Sequence, residues 1–170
     1  DEAFPQCRMS IPPMKNWKRQ MWLDQTGLPW VMPSPNMPTL DTATVYPGMC
    51  LLEGTNISEG RGTTRPFEIF GAPFIEAERL CRELNASKLP GVFFRENYFQ
   101  PTFHKHVGEL CHGVFVHAEG PFYDHDEFKP WRLQALAFKA IRRLYPDYPL
   151  WRDFPYEYVF DKLAIDVING

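Results

Sequence analysis

Proline is the residue that most limits what this chain can fold into, because 17 of its 170 residues are prolines. Each proline fixes φ at about −65° and removes a backbone N–H donor, which disfavours long helices and central strands. Residues 33–38 contain three prolines, so regular structure is not expected there. The chain is therefore predicted to be an α+β protein with a mixed sheet, a few packing helices and long proline-rich loops.

Composition limits the kinds of molecule that the chain is expected to bind. Hydrophobic residues make up 44% of the chain, which is enough for the core of one ordinary domain. The formal net charge is −3 and the basic residues are scattered, so no nucleic-acid partner is expected. No stretch approaches the roughly 20 apolar residues of a membrane span. The sequence starts at Asp1 without a methionine, which is typical of a processed or excised fragment.

Four widely spaced cysteines leave two alternatives open. The sequence contains no Cys-x-x-Cys pair, so a structural zinc site is not expected, and no other metal or cofactor is predicted. Two disulfides are expected if the protein is exported. Four buried free thiols are the other alternative, because free cysteine packs as a small hydrophobic side chain. The cysteines are Cys7, Cys50, Cys81 and Cys111.

Apolar periodicity predicts the regular elements. The clearest helix begins at Pro130, where a proline suits the first turn, and places Leu133, Ala137 and Leu144 on one face. Helices are predicted at 75–84 and 130–144, with a short helical turn at 42–46, and strands at 28–31, 45–52, 90–95, 113–118 and 156–160.

Residues 53–68 form the most polar stretch of the chain and would leave the end of the strand at 45–52. Three glycines accompany three carboxylates and two guanidinium groups in this stretch, and glycine lets a backbone approach a ligand closely. Two carboxylates suffice for glycoside hydrolysis, one donating a proton and the other acting as nucleophile or base. Glu53 and Glu59 are candidates for these roles. The alternative is a polar connector whose charges pair with one another.

Histidines invite a metal hypothesis. His104 and His106 stand two residues apart, so on a strand they would share one face. Metal ligation needs three or four convergent ligands. The other interpretation is a set of hydrogen-bonded histidines that line a cleft.

Tryptophans cluster near the start of the chain. Trp17, Trp22 and Trp30 fall within residues 17–30. Their rings can stack on sugars or pack in a core, and core packing is favoured for at least two of them.

Longer motifs follow one another along nearly the whole chain. Together they resemble the NamZ (YbbC-like) exo-β-N-acetylmuramidases. The motifs are Asn16-Trp17-Lys18-Arg19, Leu28-Pro29-Trp30-Val31, Pro33-Ser34-Pro35-Asn36-Met37-Pro38-Thr39, Tyr46-Pro47-Gly48, Glu53-Gly54-Thr55-Asn56, Ser58-Glu59-Gly60-Arg61-Gly62-Thr63-Thr64, Pro66-Phe67-Glu68, Gly71-Ala72-Pro73, Phe99-Gln100-Pro101-Thr102-Phe103-His104-Lys105 and Ile165-Asp166.

The resemblance implies a peptidoglycan enzyme that removes N-acetylmuramic acid from non-reducing ends. The family members look longer than this chain, and their N-terminal half is a Rossmann-like domain whose Pro-Glu-His-Gly type motif carries the favoured catalytic glutamate. That motif does not occur in this sequence. The resemblance therefore implies a C-terminal domain, with residues 1–40 as an extended lead-in, that forms one wall of an interdomain cleft. The substrate implies an extracytoplasmic location, whether periplasmic, cell-surface or secreted.

The resemblance also implies roles for individual residues. Glu53 and Glu59 would be catalytic, by orienting water or supporting the acid of the other domain. Arg61 would face the lactyl carboxylate of muramic acid. The substrate-binding residues would be Asn56, Ser58, Arg61, Thr63 and His104.

Two other functions compete with this one. A non-catalytic peptidoglycan or carbohydrate-binding module would use the tryptophans in a self-contained groove. A metal-dependent hydrolase would use His104 and His106 with a carboxylate.

Overall fold

A computed structural model of the chain describes residues 9–153, apart from the side chain of Phe122. It divides into two units, residues 1–31 and 32–170. The strand predicted at 156–160 lies outside the described residues.

The described residues of the first unit contain one 3₁₀ turn, Leu23–Thr26, and another turn before it, in which the N–H of Met21 donates to the carbonyl of Lys18 at 3.0 Å. The backbone N–H of Trp22 donates to the side chain of Gln25 at 3.1 Å, and Gly27 at φ +71° ends the turn. The strand predicted at 28–31 is wrong, because residues that follow the turn have no strand partner among the described residues. Trp17 is exposed, and Trp22 and Trp30 are only half-buried, so the core packing favoured for them is not seen.

The second unit contains three helices and three strands, which confirms the α+β class. In chain order they are α1 Leu40–Met49, β1 Ile69–Ala72, α2 Ala77–Ala86, β2 Phe93–Phe99, β3 Cys111–His117 and α3 Pro130–Leu144.

Helix α1 replaces the strand predicted at 45–52. Val45, Met49 and Leu52 are buried at helical spacing i, i+4 and i+7, a pattern that the prediction of a strand overlooked. The helix continues into a 3₁₀ turn, Cys50–Gly54. Its N-cap is Thr39, whose side chain accepts a hydrogen bond from the backbone N–H of Thr42 at 3.2 Å.

The sheet has the order β1-β3-β2, and each neighbouring pair is antiparallel. The mixed sheet predicted from the sequence is therefore not found in residues 9–153. Strand β1 was not predicted, because its four residues are all buried and show no alternation. Gly71 makes the pairing close, since a Cβ there would overlap the backbone of His112.

Helix α2 covers the free edge of β2. The side chain of Asn85 donates to the carbonyl of Phe94 at 2.8 Å and accepts from its N–H at 3.1 Å. An exposed strand edge is a template for association with other chains, and this amide satisfies the outward-facing groups at the start of the strand.

The core lies between the helices and one face of the sheet. Helices α2 and α3 confirm the predicted apolar faces, and α3 has the predicted bounds. Among the described residues, Cys50, Cys81 and Cys111 are free thiols, and no helix is long and apolar enough to cross a membrane. The largest buried apolar side chains are Phe67, Phe70, Phe94, Met49, Leu52, Ile57, Ile75, Leu80, Leu84, Leu133 and Ile141.

Helices α1 and α3 pack closely at Gly48, which gives a first prediction. A Cβ at Gly48 would overlap the carbonyl of Pro130. Alanine in a helix is ordinarily better than glycine by about 0.5–1 kcal/mol, but overpacking typically costs about 1–3 kcal/mol. We therefore expect Gly48→Ala to lower the free energy of unfolding measured in urea. An unchanged or raised value would contradict the close contact.

Candidate functional site

The polar stretch 53–68 is an ordered loop that follows a helical turn rather than a strand. Its first part is clamped by the segment that follows α3. The side-chain amide of Asn56 donates to the carbonyl of Pro149 at 2.7 Å and to that of Trp151 at 3.1 Å. The backbone N–H of Asn56 donates to the carbonyl of Leu150 at 2.8 Å. Asn56, predicted to bind substrate, thus uses its amide hydrogens to hold the loop in place.

Ser58 and Thr63 also bond within the protein. The backbone of Ser58 pairs with Gly71 of β1 in both directions, at 2.9 and 3.0 Å. Its hydroxyl accepts from the N–H of Gly60 at 3.2 Å, and the hydroxyl of Thr63 donates to the carbonyl of Gly60 at 2.6 Å. These hydroxyl groups shape the turn at Gly60, where φ is +78°.

Gly62 brings the loop between β2 and β3 against the polar stretch. At φ +82°, a Cβ on Gly62 would lie 2.7 Å from the backbone nitrogen of Phe103. The carbonyl of Gly62 accepts from the backbone N–H of Thr102 at 3.0 Å and from its hydroxyl at 2.9 Å. Only glycine can be accommodated at this close contact without strain. The contact places His104 and Lys105 at the site.

Glu59 lies at the centre of the site. Its side chain has no exposed surface, yet three basic groups reach its carboxylate. The amine of Lys105 lies 2.7 Å from Oε2, whereas Nε of Arg61 and Nδ1 of His104 lie 3.1 and 3.3 Å from Oε1. The Oε1 contacts have ion-pair distances without good hydrogen-bond alignment. A buried carboxylate needs such charge partners to remain ionised.

Lys105 was missing from the predicted site, although its side chain is only 10% exposed. Besides Glu59, its amine donates to the carbonyls of Leu52 at 2.7 Å and Ile57 at 2.9 Å, so all three N–H groups are used. Burial lowers the pKa of Lys105, and the neighbouring Glu59 carboxylate only partly offsets this. A single lysine in a loop has no sequence pattern, and only the resemblance motif 99–105 pointed to it.

Arg61 joins the two carboxylates that were predicted to be catalytic. Its guanidinium forms ion pairs with Glu53 and Glu59 and lies over the ring of Phe67, 5.2 Å from the centroid. The side chain of Glu53 is 17% exposed, whereas that of Glu59 is fully buried. The catalytic role of both carboxylates stays a prediction, and their present geometry is that of groups that fix Arg61.

The site carries an excess of positive charge. Arg61 and Lys105 balance Glu53 and Glu59, and Arg152 lies close enough to lower the pKa of Lys105 further. His104 adds a fourth positive charge when it is protonated. A cluster of basic side chains of this kind attracts anionic ligands.

The paired histidines do not form a metal site. His104 and His106 lie in a loop at φ +72° and +55°, not on one face of a strand. His104 faces Glu59, whereas Nε2 of His106 lies 2.8 Å from the carbonyl of Asn56. No group of three metal-ligating side chains occurs in residues 9–153. The metal-dependent hydrolase therefore finds no support in the described part of the chain.

A second charged cluster lies at the other end of the polar stretch, and sequence reasoning missed it. Glu68 is buried and accepts hydrogen bonds from the hydroxyl groups of Thr42 at 2.5 Å and Thr39 at 3.2 Å. Arg65 pairs with its other oxygen at 3.2 Å. These contacts tie the end of the stretch to the start of α1.

Asp41 and Glu119 share a hydrogen bond beside this cluster, and Glu119 also contacts Nδ1 of His117 at 2.8 Å. Burial raises the pKa of Asp41, and the nearby carboxylates of Glu119 and Glu68 raise it further. The three acidic residues are far apart in sequence, so no local motif predicts that they lie together. They are Asp41, Glu68 and Glu119.

Comparison with known proteins now identifies the family. The family profile described as "Exo-beta-N-acetylmuramidase NamZ, C-terminal" matches residues 44–170. The chain belongs to the NamZ family. The profile for the N-terminal part of NamZ matches residues 1–41, so the two matches meet at the start of α1. This family is the one that the sequence motifs resembled.

Individual relatives agree with the family match. The chain is 49% identical over 158 residues to the "Peptidoglycan beta-N-acetylmuramidase NamZ" of Bacillus subtilis, and this covers 92% of the chain but 36% of the relative. The structure is similar to that of a DUF1343 family protein of Bacteroides fragilis, with a TM-score of 0.68, 36% identity, and coverage of 77% of this chain and 33% of that one. For a second such protein the TM-score is 0.54, at 26% identity and 82% and 35% coverage.

The Glu59–Lys105 pair predicts a large stability effect. Removing one partner of a buried ion pair typically costs about 3–5 kcal/mol, because the other charge is left buried. We expect Lys105→Met to lower the free energy of unfolding by about this amount. The double variant Lys105→Met/Glu59→Gln should lose clearly less than the sum of the single losses.

The exposed pair Arg82–Glu78 on α2, at 3.2 Å, is the matched control. Arg82→Met and Glu78→Gln should each change stability by less than about 0.5 kcal/mol and show almost no coupling. Equal coupling energies for the two pairs, measured in urea, would contradict the special role of Glu59 and Lys105.

Asp41 predicts a pH dependence of stability. Its folded pKa is raised above 3.8, so the folded state binds the proton more tightly than the unfolded state. The resulting stabilisation is present below the unfolded pKa and is lost as the pH rises through the folded pKa. Relative to wild type, Asp41→Asn should therefore become more stable as the pH increases from 4 towards neutrality. Urea unfolding of both proteins measures this, with exposed Asp126→Asn as control. A pH-independent difference would contradict the assignment.

Proposed function

We propose that this chain forms one wall of the active-site cleft of a peptidoglycan β-N-acetylmuramidase. The enzyme would release N-acetylmuramic acid from non-reducing ends. The observation that carries this proposal is the NamZ family match over residues 44–170, together with 49% identity to a named muramidase. The chain spans about a third of that relative, so the remainder of such a protein would supply the opposite wall.

The meeting point of the two family matches refines the domain boundary. The N-terminal match ends at residue 41 and the C-terminal match begins at residue 44, both within the first turn of α1. We therefore assign residues 1–41 to the end of the N-terminal domain and the rest to the C-terminal domain. The hydrogen bond from Thr39 to the buried Glu68 would then join the two parts.

The charges of the site suit the anionic sugar. N-acetylmuramic acid differs from N-acetylglucosamine by a lactyl group that carries a carboxylate. Arg61, Lys105 and Arg152 outnumber Glu53 and Glu59, which favours an anion at this surface. In this proposal the positive charge of Arg61 contributes to the electrostatic attraction of the lactyl carboxylate.

The two carboxylates take different parts in the proposal. A group that transfers a proton must reach the sugar, and Glu59 has no exposed surface. Glu53 is partly exposed and is the better candidate to orient the attacking water. From its buried position, Glu59 would act as a positioning residue. The principal acid would come from the N-terminal domain.

Peptidoglycan lies outside the cytoplasmic membrane, so the proposed substrate requires an extracytoplasmic enzyme. This assignment rests on the substrate alone.

A non-catalytic carbohydrate-binding module is the second candidate, because both predicted catalytic carboxylates are held in ion pairs with Arg61. Such a module would bind muramic acid but add nothing to hydrolysis by its partner domain.

The test is the release of N-acetylmuramic acid from a chromogenic β-N-acetylmuraminide. We expect no release by this chain alone and release after addition of the N-terminal domain of a NamZ relative. Association of the two parts is checked by size-exclusion chromatography. An associated but inactive mixture would contradict the proposal and favour the binding module. Activity of the chain alone would contradict the assignment of one wall only.

Within the active mixture, Glu53→Gln should lower kcat by up to about 100-fold, as expected when a group that positions a reactant is lost. The exposed Glu96→Gln on β2 is the control and should leave kcat unchanged. An equal effect of the two substitutions would contradict a role for Glu53 in the reaction.

A further inference from the structure

His104 differs from the other basic groups around Glu59 in having an open hydrogen-bonding atom. Its Nδ1 faces Glu59 at 3.3 Å, and no described residue bonds its Nε2. The side chain is 31% exposed, whereas the amine of Lys105 is enclosed and uses all of its hydrogens. His104 can therefore reach a ligand without breaking a contact within the described part of the chain.

The backbone fixes where this ring stands. His104 has φ +72°, a conformation that is uncommon for residues other than glycine and persists where the surroundings enforce it. The preceding Phe103 lies against Gly62, and Thr102 bonds to the carbonyl of Gly62. The polar stretch thus holds the residues that lead into His104 and present its imidazole.

Glu59 fixes the orientation of the ring. Lys105 holds Oε2 of the buried carboxylate at 2.7 Å, which leaves Oε1 to face Nδ1 of His104. A carboxylate on Nδ1 sets the tautomer and direction of an imidazole and stabilises its protonated form. Lys105 is therefore a positioning residue that acts on His104 through Glu59.

We propose that His104, held by Glu59 and Lys105, binds the lactyl carboxylate and selects N-acetylmuramic acid over N-acetylglucosamine. The ring faces Glu59 with Nδ1 and donates Nε2–H to the ligand carboxylate, a charge-assisted hydrogen bond. Arg61 suits this role less well, because Glu53 and Glu59 already bind its guanidinium. This inference rests on the proposed function and assigns its sugar selectivity to one side chain.

Several charged groups set the field at His104. Glu59 contributes negative charge beside the ring, and the nearby cations contribute positive charge. The charged or titratable side chains around the ring, from the polar stretch, from its own loop and from the segment after α3, are Glu53, Glu59, Arg61, Lys105, His106, Glu109 and Arg152.

Calorimetric titration of the 170-residue chain with each free sugar at pH 5.5 tests the proposal. We expect the wild type to prefer N-acetylmuramic acid by about tenfold, which corresponds to one charge-assisted contact at a partly exposed site. His104→Gln should bind both sugars with nearly equal affinity. His112→Gln, on β3 and away from the polar stretch, is the matched control and should retain the preference.

Rescue by a conservative substitution separates recognition from a structural effect. Lys105→Arg should retain part of the preference, and Lys105→Met should lose it.

The failures of the two proposals are distinguishable. Binding of neither sugar by the wild type contradicts the sugar-binding wall and with it the proposed function. Binding without preference, or a preference that persists in His104→Gln, overturns the role of His104 alone.

Discussion

The buried carboxylate of Glu59 is the interaction on which the rest of the site depends. An ionised group without solvent contact is costly unless opposite charges and hydrogen bonds compensate it. Here the compensation comes from Arg61, which follows Glu59 in the same stretch, and from Lys105, which lies in the loop between β2 and β3. Removing Glu59 would leave these cations facing each other. The carboxylate thus acts as the common anchor for groups that face solvent.

The site is assembled from segments far apart in sequence. The polar stretch 53–63 receives Lys105 and His106 from one side, and the carbonyls of Pro149, Leu150 and Trp151 from the other. Each contact uses backbone groups that a loop would otherwise expose. These bonds hold the loop in place, although most of it has no regular structure. A scaffold of this kind can present a few side chains in fixed directions.

The elements that could be predicted from the sequence are those with a local pattern. Helices α2 and α3 have complete apolar faces, and the polar stretch is visible from its charges and glycines alone. Strand β1 was missed because burial on all sides removes alternation. Helix α1 was predicted only as a turn at 42–46, because Pro47 concealed the helical spacing of Val45, Met49 and Leu52.

The residues of the candidate site likewise divide into those that could be predicted from the sequence and those that could not. Glu53, Glu59 and Arg61 could be found in one window of sequence, and they lie together in the structure. Their partners could not, since the hydrogen bonds of Lys105 span about fifty positions. Nor does a sequence show whether a carboxylate is buried. Because Glu59 is buried, we interpret it as a group that holds the side chains facing the substrate, not as one that reacts with the substrate itself.

The most direct test of this account is the mapping of backbone amide shifts on titration of the chain with N-acetylmuramic acid. The account predicts that the perturbed amides concentrate in 53–63 and 102–106, around the anchor provided by Glu59. Perturbations confined to the groove between α2 and α3, which Leu84, Leu136 and Arg143 line, would contradict it. Perturbations confined to the first unit, around Trp17, would contradict it as well.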